Sequence, residues 1–313
     1  MNWPLIIEKK LPEPVRVILR GAGQVVFCGN AVTGFFVLTA FYVSGMMAGM
    51  AATIGVMCST FAAYILKFCK QDTQAGLYGF NGILAGVCLS VVIEHTPQLW
   101  LYIVIAAILS SIVWTLMTRF LQFCRLPAAT SPFVLISWLF LMTMQVFGNS
   151  PADAIVAATT NAGVFSLDSW LTSFARAISQ ILFSQNVLAG GLLLIGIALA
   201  SWRGALMAIG GALIGVIVPF AIGIDQKLIE EGLYGFNPVL TMIALGWVFL
   251  EPTPQNTVLA VLAGMLAVLW QAVLSTLLAP IGLPVLAAPF ILTLWMVLFT
   301  VDKFKSSLST ASS

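Results

Sequence analysis

The sequence predicts an all-α polytopic membrane protein built from two inverted homologous halves. Composition, an internal duplication and the sidedness of the charges carry that expectation. Of 313 residues, 60% are hydrophobic and 8% are charged, with a mean hydropathy of +1.06. A soluble domain carries roughly 25% charged residues. A chain this poor in charge cannot cover itself with a hydrated surface, so the bilayer is its solvent. Thirteen basic against 11 acidic residues leave a net charge of +2. That charge is too small and too scattered for a nucleic-acid partner.

The duplication is explicit. Gly76-Leu77-Tyr78-Gly79-Phe80-Asn81 recurs as Gly232-Leu233-Tyr234-Gly235-Phe236-Asn237, an offset of 156. The same offset pairs Gln24 with Gln180, Phe27 with Phe183, Asn30 with Asn186 and Gly34 with Gly190. After one inserted residue, an offset of 157 pairs Thr96-Pro97 with Thr253-Pro254 and Leu126-Pro127 with Leu283-Pro284. It also pairs Pro132-Phe133 with Pro289-Phe290 and Trp138 with Trp295. The expected halves are residues 1–155 and 156–313, joined by a polar stretch containing Gly148, Asn149, Ser150, Pro151 and Asp153.

The N-terminus, Met1 to Arg20, interleaves charges with Pro4, Pro12 and Pro14. It lacks the uninterrupted apolar run and small-residue site of a cleavable signal. A short amphipathic stretch at 12–27 then leads into five apolar spans, at 30–48, 49–68, 78–94, 98–122 and 130–148. The second half repeats the pattern with an amphipathic stretch at 167–183 and spans at 186–202, 204–222, 234–250, 255–278 and 286–301. Five is odd, so the second half enters the membrane upside down relative to the first, as in many transport proteins. With both termini cytoplasmic, eleven Lys and Arg lie inside and only Arg176 and Lys227 outside, as the positive-inside rule requires. Short tails and the absence of appended domains suggest a bacterial inner-membrane protein. Cys28, Cys58, Cys69, Cys88 and Cys124 match neither a CxxC nor a Cys/His metal pattern. They read as buried small hydrophobes.

Every acid falls at a loop or span end. Ion-coupled carriers hold ionisable groups at the midplane, where a charge is costly and kept only for work. Their absence argues against proton coupling and against a charged substrate, and leaves sodium coupling through backbone carbonyls open. No nucleophile–base set or metal-ligand cluster appears, so neither an enzyme nor a metal or other cofactor is expected. The sole histidine, His95, reads as a solvated loop residue and cannot form the paired histidines of an ammonium channel. Asn237-Pro238-Val239 and Asn81-Gly82 do not make the two Asn-Pro-Ala motifs of an aquaporin.

The informative residues are uncharged. Gln24 and Gln180 end their amphipathic stretches at identical places in the repeat. Interhelical hydrogen bonding is the ordinary role of a membrane glutamine, but the symmetric pair favours a solute path. Each amide offers an acceptor oxygen without a charge. A half-helix end also leaves its last carbonyls without intrahelical partners, which hydrocarbon tolerates only in protein or beside a cavity. Two such ends make an acceptor-rich wall suited to a neutral solute rich in N–H donors. Phe80 and Leu84 share a helical face, as do Phe236 and Leu240; each pair serves either as core or as one side of a narrow apolar slot.

The duplicated GLYGFN, the Gln-x-x-Phe-x-x-Asn-x-x-x-Gly element and Thr130-Ser131-Pro132-Phe133 together resemble the urea transporter family of bacterial type, over about residues 16 to 300. The resemblance implies channel-like facilitated diffusion of urea down its gradient, with five transmembrane helices and one tilted half-membrane pore helix in each half. It implies a homotrimer, surrounded by membrane lipid, with a separate pore in each protomer. Carried over by position, Gln24, Val25 and Phe27 end the first pore helix, and Gln180, Ile181 and Phe183 the second; their oxygens form ladders for urea N–H groups. Phe27 and Phe236 shape one mouth, Phe183 and Phe80 the other. Leu84 and Leu240 flank the midpoint, where Thr130 offers a hydroxyl. Two departures stand out. Ala287 occupies the mate position of Thr130, where the family often has a second threonine, and Gln180 stands where some members carry a carboxylate. A channel for related small amides or ammonia, and a sodium-coupled small-amide carrier, are the alternatives.

Overall fold

The computed structural model describes residues 7–146 and 167–311. The polar joint and the boundary expected after residue 155 lie outside these. Among the described residues all regular structure is helical.

Helix α1, Glu13–Gly23, starts behind Pro12 with Pro14 in its first turn, Glu13 at its N-terminal end and Arg20 in its last turn. Fixed proline φ and dipole-complementary charges favour a helix there. It tightens into a 3-10 turn over Gln24–Val26, and the chain resumes at 73° to it as α2, Ala31–Ser44. Helices α3 (Met46–Ile65), α4 (Gly79–Val92), α5 (Pro97–Leu121) and α6 (Ser131–Val146) complete the first half. The order then recurs. Helix α7, Leu167–Ser179, tightens over Gln180–Leu182 and meets α8, Val187–Ala200, again at 73°. Helices α9 (Trp202–Ala221), α10 (Phe236–Ile243), α11 (Pro254–Leu278) and α12 (Ala288–Ala311) follow.

Both amphipathic stretches and all ten expected apolar segments are helical. Among the described residues, only α3, α5, α9 and α11 are long and apolar enough to cross a bilayer alone, a crossing that takes ~20 residues at ~1.5 Å each. Helices α2, α4 and α8 have 14 residues each, about two-thirds of that length, and α2 and α8 each follow a 73° bend. Large apolar side chains are exposed on α2 and α8 at Phe35 and Leu188, and on the long helices at Phe61, Leu116 and Leu262. The cysteines divide. Cys28 and Cys88 are buried and Cys58 is half-buried, but Cys69 and Cys124 stand exposed at helix ends, contrary to their expected burial.

Ten described residues have φ in the left-handed region, and they form five repeat mates. The mates are Phe27 with Phe183, Lys67 with Gly223, Gly76 with Gly232, Arg125 with Gly282, and Ala129 with Leu286. For a residue with a Cβ this conformation costs roughly 1–2 kcal/mol, so surrounding contacts must hold it in place. Cross-bonds stitch the two sets of helices together. The indole N–H of Trp138 donates to the Pro284 carbonyl and that of Trp295 to the Pro127 carbonyl, each at 2.8 Å. The Thr33 hydroxyl on α2 donates to the Gly196 carbonyl on α8 at 2.8 Å.

Candidate functional site

Each residue of the Gln-x-x-Phe-x-x-Asn-x-x-x-Gly element has a local task, performed twice. Phe27 and Phe183 are the left-handed residues that end the pore-helix turns. Their N–H groups donate to the Gln24 and Gln180 carbonyls at 3.0 Å. The next N–H reaches back one residue further, from Cys28 to Gly23 and from Ser184 to Ser179; this is a Schellman-type stop that satisfies otherwise orphaned carbonyls. Asn30 and Asn186 cap the following helices, accepting from the Thr33 and Leu188 N–H groups at 2.9 Å. Gly34 and Gly190 admit the backbone of α1 and α7. A Cβ on Gly34 would lie 1.7 Å from the Leu19 carbonyl oxygen, and one on Gly190 2.5 Å from that of Ala175.

The glutamines tie these turns to the loops that carry the duplicated hexapeptide. Gln24 Nε2 donates to the Ala75 carbonyl at 3.1 Å, and Gln180 Nε2 donates to the Glu231 carbonyl at 2.8 Å. Arg20 and Arg176 reinforce the same joints, donating to the Gln74 and Glu230 carbonyls at 2.9 and 3.0 Å. Arg20 also pairs with the buried carboxylate of Glu8. With nitrogen spent on a carbonyl, each amide keeps its oxygen as the remaining acceptor. At Gly76 and Gly232 the loops turn with φ of +79° and +77°, and a Cβ at either would strike the pore-helix backbone.

The asparagines of the hexapeptide were not singled out from sequence, yet both are fully buried clamps. Asn81 donates to the Ala129 carbonyl at 3.2 Å and accepts from the Phe133 N–H at 3.1 Å. Asn237 donates to the Leu286 carbonyl at 3.1 Å and accepts from the Phe290 N–H at 3.2 Å. Each thereby holds a left-handed residue and the helix start beyond it, so Thr130 and Ala287 have fixed positions. Their repetition inside GLYGFN was the available signal.

These parts meet at a narrow cavity of about 20 Å³, room for little more than one water. Both pore turns reach it, the first through Val25 and the second through Gln180, Ile181 and Phe183. Leu84, Leu240, Thr130 and Phe236 complete the expected set that the structure brings together. Phe133, Leu286 and Ala287 also line it, and none of the lining residues is charged. The Thr130 hydroxyl is buried and lacks a hydrogen-bond partner.

Three expected residues lie off this cavity. Gln24 is held at its loop and Phe80 is buried in the surrounding core. Phe27 packs edge-to-face on Phe290 with ring centroids 5.9 Å apart. Its mate Phe183 makes the matching contact with Phe133 at 6.0 Å. Phe236 and Phe183 both line this cavity, whereas the resemblance implies that they belong to opposite mouths. Phe133 was legible as part of the repeated Pro-Phe pair; Leu286 carried no sequence signal beyond its mate position.

A bundle of membrane helices, broken where an uncharged cavity sits between them, is an architecture of transport proteins. The comparisons specify which. The urea transporter family model matches residues 15–302, and the chain belongs to that family. It is similar to urea transporter 1 of Ovis aries, with 29% identity over 294 residues, covering 91% of this chain and 77% of the relative. It is likewise similar to urea transporter 1 of Rattus norvegicus, with 29% identity over 298 residues and the same two coverages. The family supports urea as the solute carried across the membrane.

Proposed function

We propose that the chain conducts urea passively, down its gradient, through a slot that passes the cavity between the two pore turns. The observation that carries this reading is the cavity's chemistry: small, uncharged, walled by aromatic and aliphatic side chains, with the unpaired Thr130 hydroxyl and Gln180 among its polar groups. Urea is flat and neutral, with N–H donors along its edges. Oxygens of the Gln24–Val26 and Gln180–Leu182 turns replace the water on those edges, while aromatic faces select its thickness. Each step must be weak enough to release the solute. Cations find no carboxylate to replace their hydration and are rejected.

The same reading makes residues 1–155 and 156–313 inverted repeats, both termini cytoplasmic, and the protein a homotrimer in the inner membrane with one passage per protomer. The recurrence of element order, bends, left-handed residues and clamps supports it. The test is urea efflux from proteoliposomes holding the purified protein. The expected result is fast efflux that needs no ion gradient and does not saturate at low concentration. Uphill accumulation driven by sodium would overturn the channel mechanism, and formamide or ammonia passing in preference to urea would overturn the solute.

Ala287 supplies a second test. A threonine there adds a hydroxyl opposite Thr130 in a cavity only one water wide. Enlarging a packed site costs roughly 1–3 kcal/mol, so Ala287→Thr is expected to fold and to change urea flux several-fold, read by stopped-flow light scattering. A variant that folds with wild-type flux would remove the midpoint from the path.

A further inference from the structure

The stretch Gln180–Trp295 is one residue longer than its repeat mate Gln24–Trp138, and helix α10 shows where that residue is accommodated. Repeat mates are offset by 156 at Asn81 and Asn237, and by 157 at Glu94 and Glu251. The extra residue therefore falls between Asn237 and Glu251. Over the matching stretch of the first half, α4 is an uninterrupted α-helix to Val92. In the second, α10 passes at Ala244–Val248 into a π-helical turn, closed by the Phe249 N–H donating to the Ala244 carbonyl at 2.8 Å. A π turn is how a helix takes in one residue without ending.

Two consequences follow from the turn, and neither has a counterpart at the mate positions. The Gly246 carbonyl within it accepts from Arg203 Nε at 2.9 Å, and Arg203 Nη2 donates onward to the Thr257 hydroxyl of α11 at 3.2 Å. The mate of Arg203 is Met47, which has no donor to offer. Beyond the turn, Phe249 lies edge-to-face on Phe27, with centroids 6.1 Å apart and planes at 79°. Phe27 thus packs edge-to-face on both Phe249 and Phe290. The residue of the first half at Phe249's mate position is aliphatic under either offset, Ile93 or Val92.

We propose that the π turn determines specificity at the Phe27 end of the passage: it carries Phe249 onto Phe27, and Arg203 is the positioning residue that holds the turn. This rests on the passage reading above. A ring packed edge-to-face on two others resists tilting to admit a wider solute, so this end excludes ureas alkylated on nitrogen. The Phe183 end lacks an equivalent π turn in the first half and discriminates less.

The experiment measures the permeability of N-methylurea relative to urea in proteoliposomes of the full chain. Phe249→Leu is expected to raise that ratio at least about threefold, since one methyl is worth roughly tenfold or more in a close-fitting apolar site. Arg203→Gln, whose amide is too short to reach the Gly246 carbonyl, is expected to raise it in the same direction, and Arg203→Lys, which keeps a long cationic donor, to restore it. An unchanged ratio in Phe249→Leu overturns the proposal, and so does an Arg203→Lys ratio matching that of Arg203→Gln. Should Arg203→Gln fail to fold, the Phe249→Leu ratio decides alone. Gln180→Leu separates the two levels. If it leaves urea flux unchanged, the passage reading falls and takes this proposal with it; if it slows flux while Phe249→Leu leaves the ratio at wild type, the proposal alone falls.

Discussion

Urea flux through Gln180→Leu is expected to drop by roughly ten- to a hundredfold, because an unpaired N–H in a dry site costs about 1–3 kcal/mol and each 1.4 kcal/mol is tenfold. Leucine keeps the bulk of the side chain but removes the oxygen at the cavity wall. It also strips the Glu231 carbonyl of its donor, so folded yield and thermal stability must be measured beside flux. The bond from the Arg176 guanidinium to the Glu230 carbonyl remains to hold the loop, which is why assembly is expected to survive. Gln24→Leu is expected to act in the same direction and less strongly, since Gln24 lies off the cavity that Gln180 lines. Two folded variants with wild-type flux in stopped-flow measurements would remove the ladder role from both.

Gly34→Ala is expected to abolish folded protein. The added Cβ would meet the Leu19 carbonyl oxygen at 1.7 Å, a collision of backbone with backbone that no side-chain rotation relieves. Helix α1 must move off α2, and with it the bonds from Gln24 and Arg20 to the hexapeptide loop. Losses above roughly 4 kcal/mol belong to such cases. Two neighbouring glycines supply the internal control. A Cβ on Gly190 would lie 2.5 Å from the Ala175 carbonyl oxygen, whereas one on Gly191 meets nothing within 4 Å. Gly190→Ala is therefore expected to lower the melting temperature sharply, and Gly191→Ala to leave it level or raise it, as alanine favours a helix by up to ~1 kcal/mol. Equal effects of the two substitutions in detergent melts would contradict the packing described here.

The duplication made much of this architecture legible, because a repeated residue must satisfy the same local physics twice. Gln24, Phe27, Asn30 and Gly34 could be paired with their mates before any coordinates, and each proves to be a tether, a left-handed stop, a cap and a close approach. Helix length was less legible. Hydropathy sees the apolar run of 30–48 but not the extended Gly45 that ends α2 at Ser44. Contacts between distant segments were least legible of all. Nothing local marks Asn81 as the group that positions Phe133, or joins Phe236 to Phe183, since both depend on loops more than 40 residues away in the chain.

The crossed tryptophans bear on how the protein is made. As the ribosome delivers the chain, Trp138 enters the lipid with an indole N–H whose acceptor, Pro284, is still 146 residues from synthesis. Trp295 then emerges to find its acceptor already waiting at Pro127. The early helices insert before they are mutually satisfied, and the last pair closes the molecule like a clasp. A nascent product stalled before Pro284 leaves the Trp138 indole N–H without this acceptor, the kind of flaw by which quality control can tell an unfinished chain from a finished one.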